Sequence, residues 1–471
     1  MEPLSNYFIG RIQKDFNKGK TIVGGLYTNT LRDLEGTMHD EYHKMAQTAG
    51  IDITQFFKDK NWMISLNTAF SNVQGTASAI ASTQESSVHY FQRPGVSHLN
   101  YNINRKQLSG NGGSLSAGKI GGKWNFMFFG LWKSPGLELN DVGYLRRADQ
   151  LMGILWGAYH INEPFGIFKE MHFNSDYYSV HDFGGNYISS GYELSAFTKF
   201  KNYWSSGFHA NINTNGNDNT MLRGGPSIKV PGEFRLHYSL ETDSRKKLSA
   251  ELEAGWMNGF YNSQSFSVFS LSLNFRPLNT LQIELEPEYI QEKNELQFID
   301  NPESGNTTHY VFGGIQQDVF RLSARINYSI TPDFTIQFWG QPFAASGKFS
   351  RYKSITNPNA DKYGNRFEIF QPNQISYNQS ADVFAIDENI DGIHDYSFEN
   401  PNFNEDEFLS NLVIRWEFVP GSTVYLVWSQ KRDYSSNLGK FSFSDEMKHL
   451  FDGDKPYNVF LLKFSYRIGL R

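Results

Sequence analysis

The closing stretch 457–470 constrains the fold more than any other part of this chain. Phe460, Leu462, Phe464, Tyr466, Ile468 and Leu470 are apolar, Lys463, Ser465, Arg467 and Gly469 lie between them, and only Leu461 breaks the alternation. A period of two places one greasy and one polar face on a β-strand. The rhythm recurs upstream. Leu248, Ala250, Leu252, Ala254 and Trp256 alternate with Ser249, Glu251, Glu253 and Gly255. Leu322, Ala324, Ile326, Tyr328 and Ile330 alternate with Ser323, Arg325, Asn327 and Ser329, and Leu281, Ile283, Leu285 and Tyr289 with Gln282, Glu284, Glu286 and Glu288. Runs of about 9 to 11 residues match a tilted strand crossing a hydrocarbon core.

The expected fold class is therefore all-β, a large antiparallel transmembrane β-barrel of about 20 strands with long extracellular loops. Composition agrees. A mean hydropathy of −0.50 is too polar for a helical membrane protein, yet 16% of the residues are aromatic, as suits a barrel with a wet lumen and aromatic girdles. The longest apolar runs, such as 124–132, are about half the 18 residues that a spanning helix needs.

Short turn signals at 162–165, 201–203, 243–246, 277–279, 331–333 and 420–421 alternate with long polar loops at 213–232, 292–308 and 346–407. Short turns at one end and long loops at the other are the asymmetry of outer-membrane barrels. One domain spanning 1–471 is expected. The run 7–16 heads toward a short turn at 17–20, in the same sense as the last strand; because bacterial single-chain barrels have even strand numbers, a further strand is expected upstream. Residues 1–10 lack the basic start and apolar core of an export signal, which fits the same expectation of a longer precursor.

The facing rule assigns Glu251, Glu253, Arg325, Arg415, Glu417, Lys463 and Arg467 to the lumen, since Arg or Lys at the lipid midplane costs roughly 2 to 4 kcal/mol. Pro287 removes a ladder donor and predicts a bulge or an edge. Cysteine is absent, which excludes disulfides, thiolate metal sites and a Cys nucleophile. The net charge of −6 offers no basic footprint, so no nucleic-acid partner is expected.

Three segments carry a resemblance. Asn6-Tyr7-Phe8-Ile9-Gly10-Arg11-Ile12-Gln13-Lys14-Asp15-Phe16 with Gly24-Gly25-Leu26-Tyr27-Thr28 resembles the opening of the C-terminal barrel region of an outer-membrane family described only as a domain of unknown function. Ser134-Pro135-Gly136-Leu137-Glu138-Leu139-Asn140-Asp141-Val142-Gly143-Tyr144-Leu145-Arg146-Arg147-Ala148-Asp149 resembles its most distinctive loop. Leu412 to Arg415, Trp416-Glu417-Phe418-Val419-Pro420-Gly421-Ser422-Thr423 and Val427-Trp428-Ser429-Gln430 look like its penultimate hairpin. The resemblance implies relatives with an N-terminal β-sandwich similar to family-9 carbohydrate-binding modules, which this chain lacks, and through them a link to glycans. Some relatives carry a loose hydrolase label; no catalytic residues come with the family.

Candidate chemistry lies in the loops. Asp387, Asn389 and Asp391 at first, third and fifth positions, Gly392 at the sixth and Asp395 at the ninth match the start of a calcium loop. The twelfth position is Phe398, where a bidentate Glu belongs, so a solvated Asx turn is the competing reading. Calcium is the one cofactor suggested. His39 and His43 stand four apart, but a catalytic zinc needs a third ligand. Glu284, Glu286 and Glu288 fall on one strand face and fit a lumen wall better than a glycosidase pair. No Gly-x-Ser-x-Gly elbow occurs.

Three function classes follow, all sited in the outer membrane with lipid around the wall: an open or plugged barrel for glycan binding or uptake, a structural subunit of an envelope complex, and a carbohydrate-processing hydrolase. The first is preferred, and a non-enzymatic role over an enzymatic one.

Overall fold

The computed structural model describes residues 3–305, 307–452 and 455–469. Twenty strands form one antiparallel sheet. The short strand Phe367–Ile369 adds to the end of Phe334–Ile355, and the other nineteen run up and down in chain order from Leu4–Phe16 to Tyr457–Ser465. The chain thus forms the all-β antiparallel barrel wall that its alternation predicts. No helix among the described residues is long and apolar enough to cross a membrane.

Register follows the alternation. Between Leu248–Gly259 and Gln264–Leu278, Leu248, Ala250 and Leu252 stand opposite Phe275, Leu273 and Leu271, while Glu251 and Glu253 stand opposite Ser272 and Ser270. A slip of one residue would swing the glutamates onto the apolar face. The apolar face is the outer one. A single cross-strand row carries Trp124, Tyr159, Phe173, Ala196, Phe208, Tyr238, Ala254, Phe269 and Tyr289 through nine successive wall strands. Trp124 is 65% exposed and Phe269 52%, so the row is a continuous apolar band open to the surroundings of the wall.

Tight connections occupy one end, at 17–20, 58–61, 120–123, 201–204, 279–280, 332–333 and 420–421. Gly421 has φ +81°, a left-handed value that a two-residue hairpin asks of a residue without Cβ. The other end carries the long connections 75–106, 134–149, 214–232, 356–402 and 437–456. The first and last wall strands both run toward the tight-turn end and, among the described residues, are not hydrogen-bonded to each other.

The structure corrects several expected boundaries. The loops expected at 292–308 and 346–407 begin as strand: Leu281–Asp300 and Phe334–Ile355 are 20 and 22 residues long, and the returning strand starts at Phe403. Strands about twice the length of a crossing make this part of the wall stand above the belt. The true connection, 356–402, holds a small sheet of Ile375–Asn378, Val383–Ile386 and Tyr396–Glu399. The turn expected at 277–279 falls at 279–280. Pro287 sits inside a central strand with neither bulge nor edge; it only interrupts pairing with Leu271 and Ser272, because the missing donor is the sole local defect. The last strand stops at Ser465, and Leu470 lies outside the described residues.

Two loop systems cover the wall from opposite sides. Connection 75–106 turns inward: Ile80, Phe91 and Leu99 pack on Ala46, Val73 and Leu108. Val73 shares its strand Trp62–Gln74 with Ile64 and Phe70, which face outward. Connection 437–456 turns outward. Its helix Phe443–Asp452 sets Phe443 against Phe320, Phe451 against Phe408 and His449 against Tyr434. Those partners share the Tyr289 face through Ala344 and Asp406.

Candidate functional site

The inward cap is organised by the loop 134–149. Three of its carboxylates each take a histidine from another connection. Glu138 Oε2 accepts from His89 Nε2 at 2.9 Å, Asp141 Oδ2 from His43 Nδ1 at 2.8 Å, and Asp149 from His98 Nε2 at 3.0 Å. Arginines complete two of the pairs, Arg32 on Asp141 and Arg93 Nη2 on Asp149 at 2.7 Å. The loop backbone is fixed as well: Glu138 N donates to Ser71 Oγ, and Asn140 bridges to Leu145 through both its side-chain atoms. The His89 and Glu138 side chains are 0% and 5% exposed.

Both His89 nitrogens face acceptors, Glu138 on one side and the Pro135 carbonyl at 2.8 Å on the other, so the ring ties the acid to the loop backbone inside a buried pocket. Burial alone would raise the Glu138 carboxyl, yet the hydrogen bonds from His89 and from Asn140 N–H, with the nearby positive charge, outweigh it and hold the group below the ordinary carboxylate range. Asp141 shows the same balance: burial raises it, and the hydrogen bonds and charges of His43 and Arg32 bring it below its usual value.

His43 Nε2 also lies 2.7 Å from Thr83 Oγ1, so a hydroxyl, an imidazole and a carboxylate stand in line. The Thr83 hydroxyl donates at 3.0 Å to the Ala79 carbonyl one turn back in the helix Ala77–Glu85. Its proton is thereby spent on the helix, and the line acts as a clamp between connections. His39 does not join it. The helix Met38–Glu41 ends before His43, the two rings share no face, and His39 lines a separate hollow with Leu31 and Lys44.

Between the inward cap and connection 214–232 lies a cavity of about 770 Å³ lined by Tyr90, Tyr144, Arg146, Arg147, Thr220 and Arg223. Arg147 Nη2 approaches Asp218 Oδ1 at 3.4 Å, and the Arg223 guanidinium lies 3.7 Å over the Phe298 ring. Tyr144 is 79% exposed at its rim. Burial raises the Tyr90 hydroxyl above its ordinary value, Arg223 opposing. Tyr90 and Arg223 hold φ of +44° and +45°, left-handed values that cost a side-chain-bearing residue energy and recur at binding sites. Planar guanidinium forks beside phenol rings suit a carboxylated, sulfated or phosphorylated solute.

The other sequence candidates lie apart from this cavity. Asp387, Asn389, Asp391 and Asp395 occupy the turn between Val383–Ile386 and Tyr396–Glu399. Asp387 accepts from the N–H groups of Asp391 and Gly392, Asn389 Oδ1 from Asp391 N, Asp391 from Ile393 N, and Asp395 from Glu388 N. A calcium ion there would share these oxygens with the backbone. Glu284 accepts from Asn274 and Gln282, and Glu288 pairs with Arg321 at 2.8 Å, a ladder along the inner wall. Arg415 and Glu417 pair in the same manner. Sequence reading missed His89, His98 and Arg223 because their partners lie tens of residues away and no spacing links them.

Residues 1–470 match the family described as "Domain of unknown function (DUF5916)", and the chain belongs to that family. No curated protein matches. Among solved structures, the siderophore receptor PirA from Acinetobacter baumannii is similar at 8% identity over 90% of this chain and 73% of its own, with a TM-score of 0.37. The FrpB iron transporter from Neisseria meningitidis (F3-3 variant) is similar at 9% identity over 90% of this chain and 76% of its own, with a TM-score of 0.41.

Proposed function

We propose that this chain is the wall of an outer-membrane protein that recognises an anionic, sugar-bearing solute at its loop end. The membrane half of the reading rests on one observation: the continuous outward row from Trp124 to Tyr289, whose exposure only lipid relieves. The solute half rests on the basic cavity. Arg146, Arg147 and Arg223 supply charge and forked donors, and the rings of Tyr90 and Tyr144 supply flat faces for a pyranose. The inward cap holds the cavity's floor in place through its histidine clamps.

Two measurements test it. Protein made in a Gram-negative cell floats with the outer membrane and shifts on a gel when boiled; recovery in the soluble fraction without detergent rejects the placement. Purified protein then binds a uronic-acid or sulfated oligosaccharide more tightly than its neutral parent, and the double change Arg146→Gln, Arg147→Gln weakens binding about tenfold or more, the worth of one charge-assisted hydrogen bond. Equal affinity for neutral and charged sugars would discard the solute assignment.

A further inference from the structure

Two groups of histidine and carboxylate among the described residues stand close enough to share an ion. They differ in what their atoms already hold. In the first, Asp149 receives Arg93, His98 and the Phe183 N–H, and Asp182 receives the N–H and Nδ2 of Asn186. Every carboxylate there has donors, and an ion would displace them.

The second group is Asp406, Glu446 and His449. Asp406 stands on the outer face of the strand Phe403–Val419 near its loop end, and Glu446 and His449 lie one turn apart on the helix Phe443–Asp452 that covers it. The Asp406 and Glu446 side chains are 0% and 4% exposed. Among the described residues neither Asp406 oxygen has a hydrogen-bond partner, nor do Glu446 Oε2 and His449 Nδ1. These orphaned atoms converge: His449 Nδ1 lies 3.7 Å from Asp406 Oδ2 and 3.7 Å from Glu446 Oε2. Ligands held by metal bonds of about 2.1 Å in a tetrahedron stand about 3.4 Å apart, so the spacing is nearly that of a coordination shell.

The surroundings aim the atoms inward. Asn404 Nδ2 donates to Glu446 Oε1 at 2.8 Å, which turns Oε2 toward Asp406. The His449 ring packs tilted against Tyr434, centroids 4.2 Å apart, which fixes the imidazole. Arg432, the nearby cation, turns Nη1 to the Leu450 and Phe451 carbonyls and Nε to Gln430. Two buried carboxyl groups facing one imidazole edge cannot both stay ionised at low cost unless a proton or a cation enters between them.

We propose that Asp406, Glu446 and His449 bind one divalent cation of the zinc class, which pins connection 437–456 to the outside of the wall. A nitrogen beside two carboxylates favours a borderline metal over calcium or magnesium, which prefer oxygen alone. The ion joins the strand Phe403–Val419 to the helix before the last strand, so it fastens the connection of the final hairpin to the neighbouring strand.

The test uses the full chain, free of any polyhistidine tag, stripped with chelator and folded in detergent. Titration with Zn²⁺, and with Co²⁺ followed by its visible absorption, gives one equivalent per chain. Asp406→Asn and His449→Gln each lose that equivalent, while Lys448→Gln, exposed on the same helix, keeps it. A heat-modifiability gel confirms that each variant is folded, and if Asp406→Asn is not, His449→Gln decides alone. Folded wild-type protein that takes up no Zn²⁺, as when a shared proton bridges the two carboxyls, overturns the proposal, and so does uptake that survives in His449→Gln.

Discussion

The inward and outward caps solve the same problem, fastening a long connection to a wall strand, with opposite electrostatics. On the inner face each acid of 134–149 meets a histidine or arginine, and both Glu138 and Asp141 are held below the usual carboxylate range. On the outer face Asp406 and Glu446 confront one another, and among the described residues no donor stands between them. A cap complete in its own side chains needs nothing from outside; one that leaves buried acids unpaired is built around a visitor or carries a standing penalty.

The sharpest way to break the contrast is to remove an acid from each side. Glu138→Ala leaves the buried His89 ring without its carboxylate partner and should cost about 3 to 5 kcal/mol of cap stability, read as a fall in melting midpoint and fast protease nicking within 86–106. A loss too small to detect would show that the inward clamp is ornamental. The contrast also needs the two faces to be correctly assigned. Leu462, 72% exposed on the last strand, tests that: Leu462→Arg should lose roughly 2 to 4 kcal/mol of assembly and deplete the heat-modifiable band, whereas Lys463→Gln leaves it intact. Equal damage from both changes would reverse inside and outside.

Smaller effects refine the picture. In metal-free protein Asp406→Asn should raise stability by about 1 kcal/mol, read as a higher melting midpoint, because its amide gives Glu446 Oε2 a donor that a carboxylate facing a carboxylate lacks; a drop like that of Glu138→Ala would make the two caps alike. Acid should loosen the inward cap gradually. The folded carboxyls of Glu138 and Asp141 lie below their unfolded values, so their contribution is complete above the ordinary carboxylate range and is lost as pH falls through the depressed folded values. Protease sensitivity of 86–106 that is flat across that window removes the ion pairs from the account.

Much of the wall was legible residue by residue. The alternation at 248–256, 281–289 and 322–330 marks both the strands and their faces, since a two-residue period admits no other regular element, and the turn residues at 17–20, 201–203 and 420–421 fall where the chain reverses. Strand ends above the belt were not legible, because 292–300 and 346–355 pair through backbone groups that any polar residue offers. The loop 134–149 stood out as a motif, yet nothing in it names His43, His89 or His98 as its partners.

Sequence by itself determined that this chain forms a sheet with one greasy and one wet face, because side-chain direction along a strand is local geometry. Only the tertiary structure decided which connections turn inward and which turn outward, and so which acids are neutralised and which are not. Those outcomes depend on groups 40 to 109 residues apart meeting in space, as His43 with Thr83 and Arg32 with Asp141 do, and no local rule carries information over that distance.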